Sequence, residues 1–136
     1  MLEPPTEPGS GDAFRIEEQR PGPGIALLVV HGDVDLHGAP ELRERLRAAS
    51  SDGASAVVVD LAETSLLDST ALGVLLGATK ELRDHDGDLQ LVVSRPEIRR
   101  IFEITLLDQV FALHETRAEA LAAVDGASYR ASSSEA

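Results

Sequence analysis

Two neighbouring hydroxyls and four alternating titratable side chains are the groups in this chain whose types and spacing offer chemistry. The hydroxyls are Ser69 and Thr70, in the run Val57-Val58-Val59-Asp60-Leu61-Ala62-Glu63-Thr64-Ser65-Leu66-Leu67-Asp68-Ser69-Thr70-Ala71-Leu72-Gly73-Val74-Leu75-Leu76-Gly77. Three β-branched residues closed by Asp60 read as a buried strand. Beyond Thr70, leucines at 72, 75, 76 and 82 recur at helical intervals. Ser69 is therefore expected at a strand-loop-helix junction, beside the free N–H groups that open a helix, where a phosphate is well received. The four titratable residues are His31, Asp33, Asp35 and His37, which would share one face of an extended chain and are suitable types for a metal. Gly32 and Gly38 interrupt a straight strand there and no further ligand cluster supports the site, so neither metal nor cofactor is expected. No Gly-x-Ser-x-Gly elbow surrounds Ser69, and neither a Walker loop nor a dinucleotide fingerprint is present, which argues against an enzyme.

Composition narrows the remaining classes. The chain has 136 residues, enough for one domain with a real core. Aromatics make up 3% with no Trp, so Leu, Val, Ile and Ala must fill that core. The absence of Cys excludes disulfides, thiol catalysis and thiolate metal sites. A formal charge of −12 is wrong for a nucleic-acid or anionic-membrane surface. No apolar run approaches the ~20 residues that span a bilayer. The start, Met1-Leu2-Glu3-Pro4-Pro5, lacks a signal peptide's basic and apolar regions, so a cytoplasmic protein is expected.

The elements that must hold Ser69 alternate between strand and helix. Residues 1–11 and 126–136 read as disordered tails around one domain over 12–125. Strands are expected near 13–18, 25–31, 56–61, 89–93 and 110–113, with helices near 40–50, 70–84, 96–104 and 117–125. Pro21-Gly22-Pro23-Gly24 reads as a turn, and Pro40 and Pro96 suit the first turns of two helices. Glu41 and Arg45 have the order of a four-residue ion pair. Thr116-Arg117-Ala118-Glu119 reads as a capping box, each side chain bonding the other residue's N–H. The pattern implies an α/β fold with a mixed, mostly parallel sheet of about five strands and about four helices. Loops at the carboxyl ends of such strands form sites, and the segments 32–38 and 61–69 are both such loops.

Gly32-Asp33-Val34-Asp35, Ala39-Pro40-Glu41-Leu42-Arg43 and Asp68-Ser69-Thr70-Ala71-Leu72-Gly73-Val74 together resemble the STAS family in its bacterial anti-sigma-factor antagonist branch. Asp86-Gly87-Asp88-Leu89 and Arg99-Arg100-Ile101-Phe102-Glu103-Ile104-Thr105 resemble the later segments of that family. The resemblance implies a non-catalytic protein that binds a cognate anti-sigma factor serine kinase and so releases a sigma factor. It implies phosphorylation by that kinase at Ser69, with Thr70 as a secondary acceptor, and a phosphoprotein phosphatase as a further partner. It also implies contact with the partner through Asp33 and Asp35. The alternative is a structural STAS scaffold in a larger stress-sensing or lipid-transport complex. Three residues depart from the family pattern: Ala71 for a usual Gly, adding a methyl beside the acceptor; Leu106 for a usual Gly; and Thr64 for a usual apolar residue.

Plain structural roles compete with these. Ser69 could simply cap the helix, although Asp68 is the better N-cap. At about 100° per residue, Leu72, Leu75, Leu76 and Thr79 point one way, and Gly73, Val74, Gly77 and Glu81 point the other. Each helix-interior glycine costs about 1 kcal/mol against Ala. Either a neighbouring helix packs closely on this outer face, or Gly73, Val74 and Gly77 with Asp68 meet the partner.

Overall fold

The computed structural model describes residues 14–124, and the two tails expected from the sequence lie outside them. Within that span five strands form one sheet in the order β1-β2-β3-β4-β5: Arg15–Gly22, Ile25–His31, Ala56–Glu63, Asp88–Val92 and Ala112–His114. β1 runs antiparallel to β2, and the remaining pairs are parallel. The helices are α1 (Ala39–Ser51), α2 (Ser69–Asp84), α3 (Pro96–Ile104) and α4 (117–124), with a short 3₁₀ turn at Leu107–Gln109. The mixed, mostly parallel α/β architecture expected from the sequence is the one found.

Strand alternation sorts the core into two layers. Val57, Val59 and Leu61 of β3 and Leu89 and Leu91 of β4 meet Leu42 and Leu46 of α1, Leu75 and Leu82 of α2, and Ile98 and Phe102 of α3. Leu27, Val29, Val58 and Val92 point to the opposite face, where Ala120 and Val124 of α4 cover them. β2 and β3 are thus buried on both sides, which is why 25–30 and 56–59 each read as a continuous apolar run. With so few aromatics, only one ring pair is found among the described residues, Phe102 edge-on to Phe111 with centroids 5.6 Å apart.

Four local expectations need correction. β1 continues through Pro21 and Gly22 to a two-residue connection, Pro23-Gly24, with Gly24 at φ +72°. Pro21 is tolerated because β1 is an edge strand whose register with β2 breaks between Gln19 and Gly22. β5 begins two residues later than expected, because Leu106 turns left-handed (φ +63°) and the 3₁₀ turn that follows ends at Val110. Arg45 does not pair with Glu41; it crosses to β1, donating to the Ile16 carbonyl at 3.1 Å and lying 3.7 Å from Glu18. In the capping box the Glu119 N–H does reach Thr116 Oγ1 at 3.1 Å, but the Glu119 carboxylate accepts from the N–H of Glu115 instead of Thr116.

Gly87 shows what a glycine is needed for here. A Cβ on it would lie 2.6 Å from the Ser55 carbonyl oxygen and 3.0 Å from that of Leu82, so the chain leaving α2 can enter β4 only without a side chain.

Candidate functional site

The loops after β2 and β3 are laced together at the carboxyl end of the sheet. Val34 N–H donates to Leu66 O at 2.9 Å and Asp68 N–H donates to Val34 O at 3.2 Å, so Val34 and Leu67 form an isolated parallel bridge. Asp33 adds a side-chain tie, accepting from Ser65 Oγ at 2.8 Å and Ser65 N–H at 3.3 Å. Asp35 accepts from the N–H groups of His37 (2.9 Å) and Gly38 (3.1 Å), shaping the turn into α1. Those backbone donors, Gly38 first and then His37, hold the Asp35 carboxyl below its ordinary range. Asp33 and Asp35 are both used within the loop pair, and each keeps part of its surface open.

This lacing fixes where α2 begins. Asp68, extended at φ −95°, is the N-cap and accepts from Ala71 N–H at 3.0 Å. Ser69 and Thr70 are the first two helical residues, both exposed, and no acid stands in the first turn. The Ser69 hydroxyl has no hydrogen-bond partner among the described residues. Ser69 is therefore not the cap; its oxygen is left free, at the positive end of a helix dipole. The Ala71 methyl is fully buried in the core, so it points away from the acceptor and does not crowd it.

The outer face of α2 bears on the close-packing explanation for its glycines. Leu72, Leu75, Thr79 and Leu82 are buried, whereas Leu76, expected inward, is 37% exposed. Leu75 sits at the centre of the buried stripe, and Leu76 and Val74 flank it by about 100° on either side. Gly73 and Gly77 lie almost opposite the core, and a Cβ on either would meet no heavy atom within 4 Å. Among the described residues no helix packs directly on these two positions; α1 stands across a groove from them. Gly73→Ala and Gly77→Ala are accordingly expected to stabilise the isolated domain, each by about 0.5–1 kcal/mol, through helix propensity alone. Urea denaturation measures this; a loss of stability in either variant would mean that the face is occupied within the fold.

Thr64, at the start of the loop that leads to Ser69, carries an anomaly. Its side chain is fully buried and Oγ1 has no partner among the described residues. An orphaned buried hydroxyl costs about 1–3 kcal/mol. The near-isosteric Thr64→Val should therefore raise stability by about 1 kcal/mol, seen as a higher urea midpoint at unchanged slope. A lower midpoint would mean the hydroxyl has a partner in solution.

The alternating residues 31–37 do not converge. His31 lies between two carboxylates of other strands, with Nε2 2.8 Å from Glu17 and Nδ1 2.8 Å from Glu63. Occupying opposite ring nitrogens, these carboxylates cannot close on a single ion; His37 is exposed on the turn. A neutral imidazole donates from one nitrogen only, so the second contact favours the imidazolium. Glu17 foremost, then Glu63, raises the His31 pKa against the opposing effect of burial. His31 in turn lowers that of Glu17.

Sequence reasoning did not single out two exposed leucines, on the loop before Ser69 and on its neighbour. Leu36 and Leu66, on the laced loops, are 60% and 47% exposed. The available signal was a leucine isolated among polar loop residues, as in Asp35-Leu36-His37. Leu66 is harder to read, since its neighbour Leu67 goes inward.

A five-stranded, mostly parallel α/β sheet thus carries an exposed serine hydroxyl at a helix start, beside a helix face that no described residue covers. Residues 18–120 match the STAS domain, and the chain belongs to that family. An anti-sigma-B factor antagonist of Staphylococcus aureus is 36% identical over 86 residues, covering 63% of this chain and 80% of its own. Among solved structures, an anti-sigma factor antagonist from Mycobacterium paratuberculosis superposes with a TM-score of 0.77 at 28% identity, covering 85% of this chain and 97% of its own. SpoIIAA, an anti-sigma factor antagonist solved in its unphosphorylated form, gives 0.70 at 25% identity over 84% of this chain and 97% of its own. The phosphorylated form of SpoIIAA, from Bacillus, gives 0.63 at 25% identity over 82% and 99%.

Proposed function

We propose that this chain is an anti-sigma factor antagonist. Unphosphorylated, it binds an anti-sigma factor kinase and releases the sigma factor. The kinase ends that state by phosphorylating Ser69, and a phosphoprotein phosphatase restores it. The chain itself catalyses nothing; it is a binding module acting in the cytoplasm. The observation that carries this reading is the unpartnered, exposed hydroxyl of Ser69 at the first residue of α2. The names of the relatives support it, and so does the existence of SpoIIAA in phosphorylated and unphosphorylated forms.

In this reading the partner covers the outer face of α2, at Gly73, Val74 and Gly77, together with Asp68 and the loop residues Asp33 and Asp35. Leu36 and Leu66 supply apolar area at the rim. The test is displacement: added to a purified complex of sigma factor and anti-sigma kinase, the unphosphorylated chain should release the sigma factor. Val74→Arg should release none while melting at nearly the wild-type temperature, since Val74 is only half-buried on the flank of α2. A wild-type chain that releases nothing and instead assembles into large particles would favour a scaffold.

A further inference from the structure

We propose that the groove between α1 and α2 seats an acidic amphipathic helix of the anti-sigma partner, with carboxylates one turn apart on Arg43 and Arg47. This rests on the antagonist function proposed above and specifies the chemistry of the surface that the chain would recognise.

The groove has a volume of about 330 Å³ and lies between matching stripes of the two helices. α1 contributes Arg43, Leu46 and Arg47, and α2 contributes a stripe running from Thr70 to Glu81. That stripe is about 16 Å long, or three helical turns. Its floor is apolar, built from Leu46, Val74 and Leu82, and on its α2 side it is bordered by Gly73 and Gly77. With no Cβ at those two positions and open space where one would stand, a foreign backbone can approach α2 closely. A groove with an apolar floor and glycine gaps along about three turns suits a helix laid into it.

Charge selects the helix. Arg43 and Arg47 are both exposed and neither has an ion-pair partner among the described residues; Arg15, Lys80, Arg83, Arg99 and Arg100 are likewise unpaired, but Arg43 and Arg47 are the two basic residues that line the groove. Glu44, between them on α1, and Glu81, on the far wall of the groove, make no ion pair with either. Two like charges four residues apart on one helix destabilise it slightly. In a chain with 24 acidic and 12 basic residues, two arginines one turn apart on one wall of a groove form a local positive strip, faced by the single acid Glu81 on the other wall. Nucleic acid and anionic membranes would be repelled by the surroundings; a short segment with two carboxylates at i and i+4 fits the strip alone. The forked guanidinium geometry favours carboxylate acceptors specifically.

The test uses Arg43→Glu/Arg47→Glu and the conservative Arg43→Lys/Arg47→Lys, with the purified anti-sigma kinase as the probe. Binding is followed kinetically at low and high salt, and thermal melts check folding. The charge reversal should weaken binding about tenfold or more, chiefly through a slower association rate, and should flatten its salt dependence. The lysine pair should stay within a few-fold of wild type at an unchanged melting temperature. Wild-type affinity and salt dependence in the folded reversal variant would overturn the acidic-helix proposal and leave the antagonist function standing. A kinase that binds not even the wild-type chain would remove both.

Discussion

Leu75→Ala is expected to destabilise the domain by about 2–5 kcal/mol, the range for emptying a leucine site in a core that relaxes only in part. Leu75 is fully buried at the middle of α2, in the layer that includes Val59 of β3, Leu91 of β4 and Leu42 of α1. α2 packs against α1 and β4, and aromatic rings large enough to close a gap are scarce in this chain. The loss should therefore lie well above that of a surface change. A domain of this size is stabilised by only about 5–15 kcal/mol, so a substantial fraction disappears. Urea melts should show a lower midpoint with an unchanged slope. A cost below about 1 kcal/mol would mean that the register of α2, and with it the position of Ser69, is wrong. Its contrast with Gly77→Ala, two residues further along the same helix, is instructive. The same final side chain is expected to stabilise at one position and to damage at the other, because one faces open space and the other the core.

What could be read from sequence follows the strength of the local signal. The β-branched run before Asp60 and the leucine spacing after Thr70 located β3 and α2 because burial on both faces and on one stripe leave different periods. Asp68 was legible as the N-cap since its type and place before the apolar stripe coincide with what a helix start requires. The adjacency of the two loops followed from both leaving carboxyl ends of strands, and the lacing through Val34, Leu66 and Ser65 bears that out.

The failures were matters of tertiary choice. Leu76 sits where a helical pattern counts it as inward, yet it lies about 100° from Leu75, at the edge of the buried stripe, and is left exposed. Arg45 had a local carboxylate within helical reach at Glu41, yet β1 offered a carbonyl and a second carboxylate from across the fold. β5 moved because Leu106 adopts a left-handed backbone that no propensity for leucine would suggest. That no described residue covers Gly73 and Gly77 was equally invisible from sequence, since it depends on where every other helix docks.

Phosphate on Ser69 should weaken the hold on the anti-sigma kinase by about a hundredfold or more without unfolding the domain. A phosphoserine adds a charge of roughly −1.5 to −2. In the isolated chain that charge stands in water at the start of α2, where the helix dipole favours it and the Asp68 carboxylate opposes it, so the fold should survive. Against a partner surface shaped for a neutral hydroxyl the same group must be stripped of water. Without a prepared cation this costs several kcal/mol. About 3 kcal/mol already amounts to a hundredfold in affinity. Ser69→Asp should imitate the effect only in part, having less charge and a planar shape. Ser69→Ala should bind persistently, with Thr70 as the only neighbouring hydroxyl left to accept phosphate in the first turn of α2.

The most direct measurement incubates wild type and Ser69→Ala with the anti-sigma kinase and ATP, maps the phosphate by mass spectrometry, and determines the dissociation constant before and after. The expected result is one phosphate on Ser69 of the wild type, a loss of affinity of about a hundredfold, and no such loss in Ser69→Ala. Stoichiometric phosphate at another residue, or equal affinity with and without phosphate on Ser69, would contradict the switch.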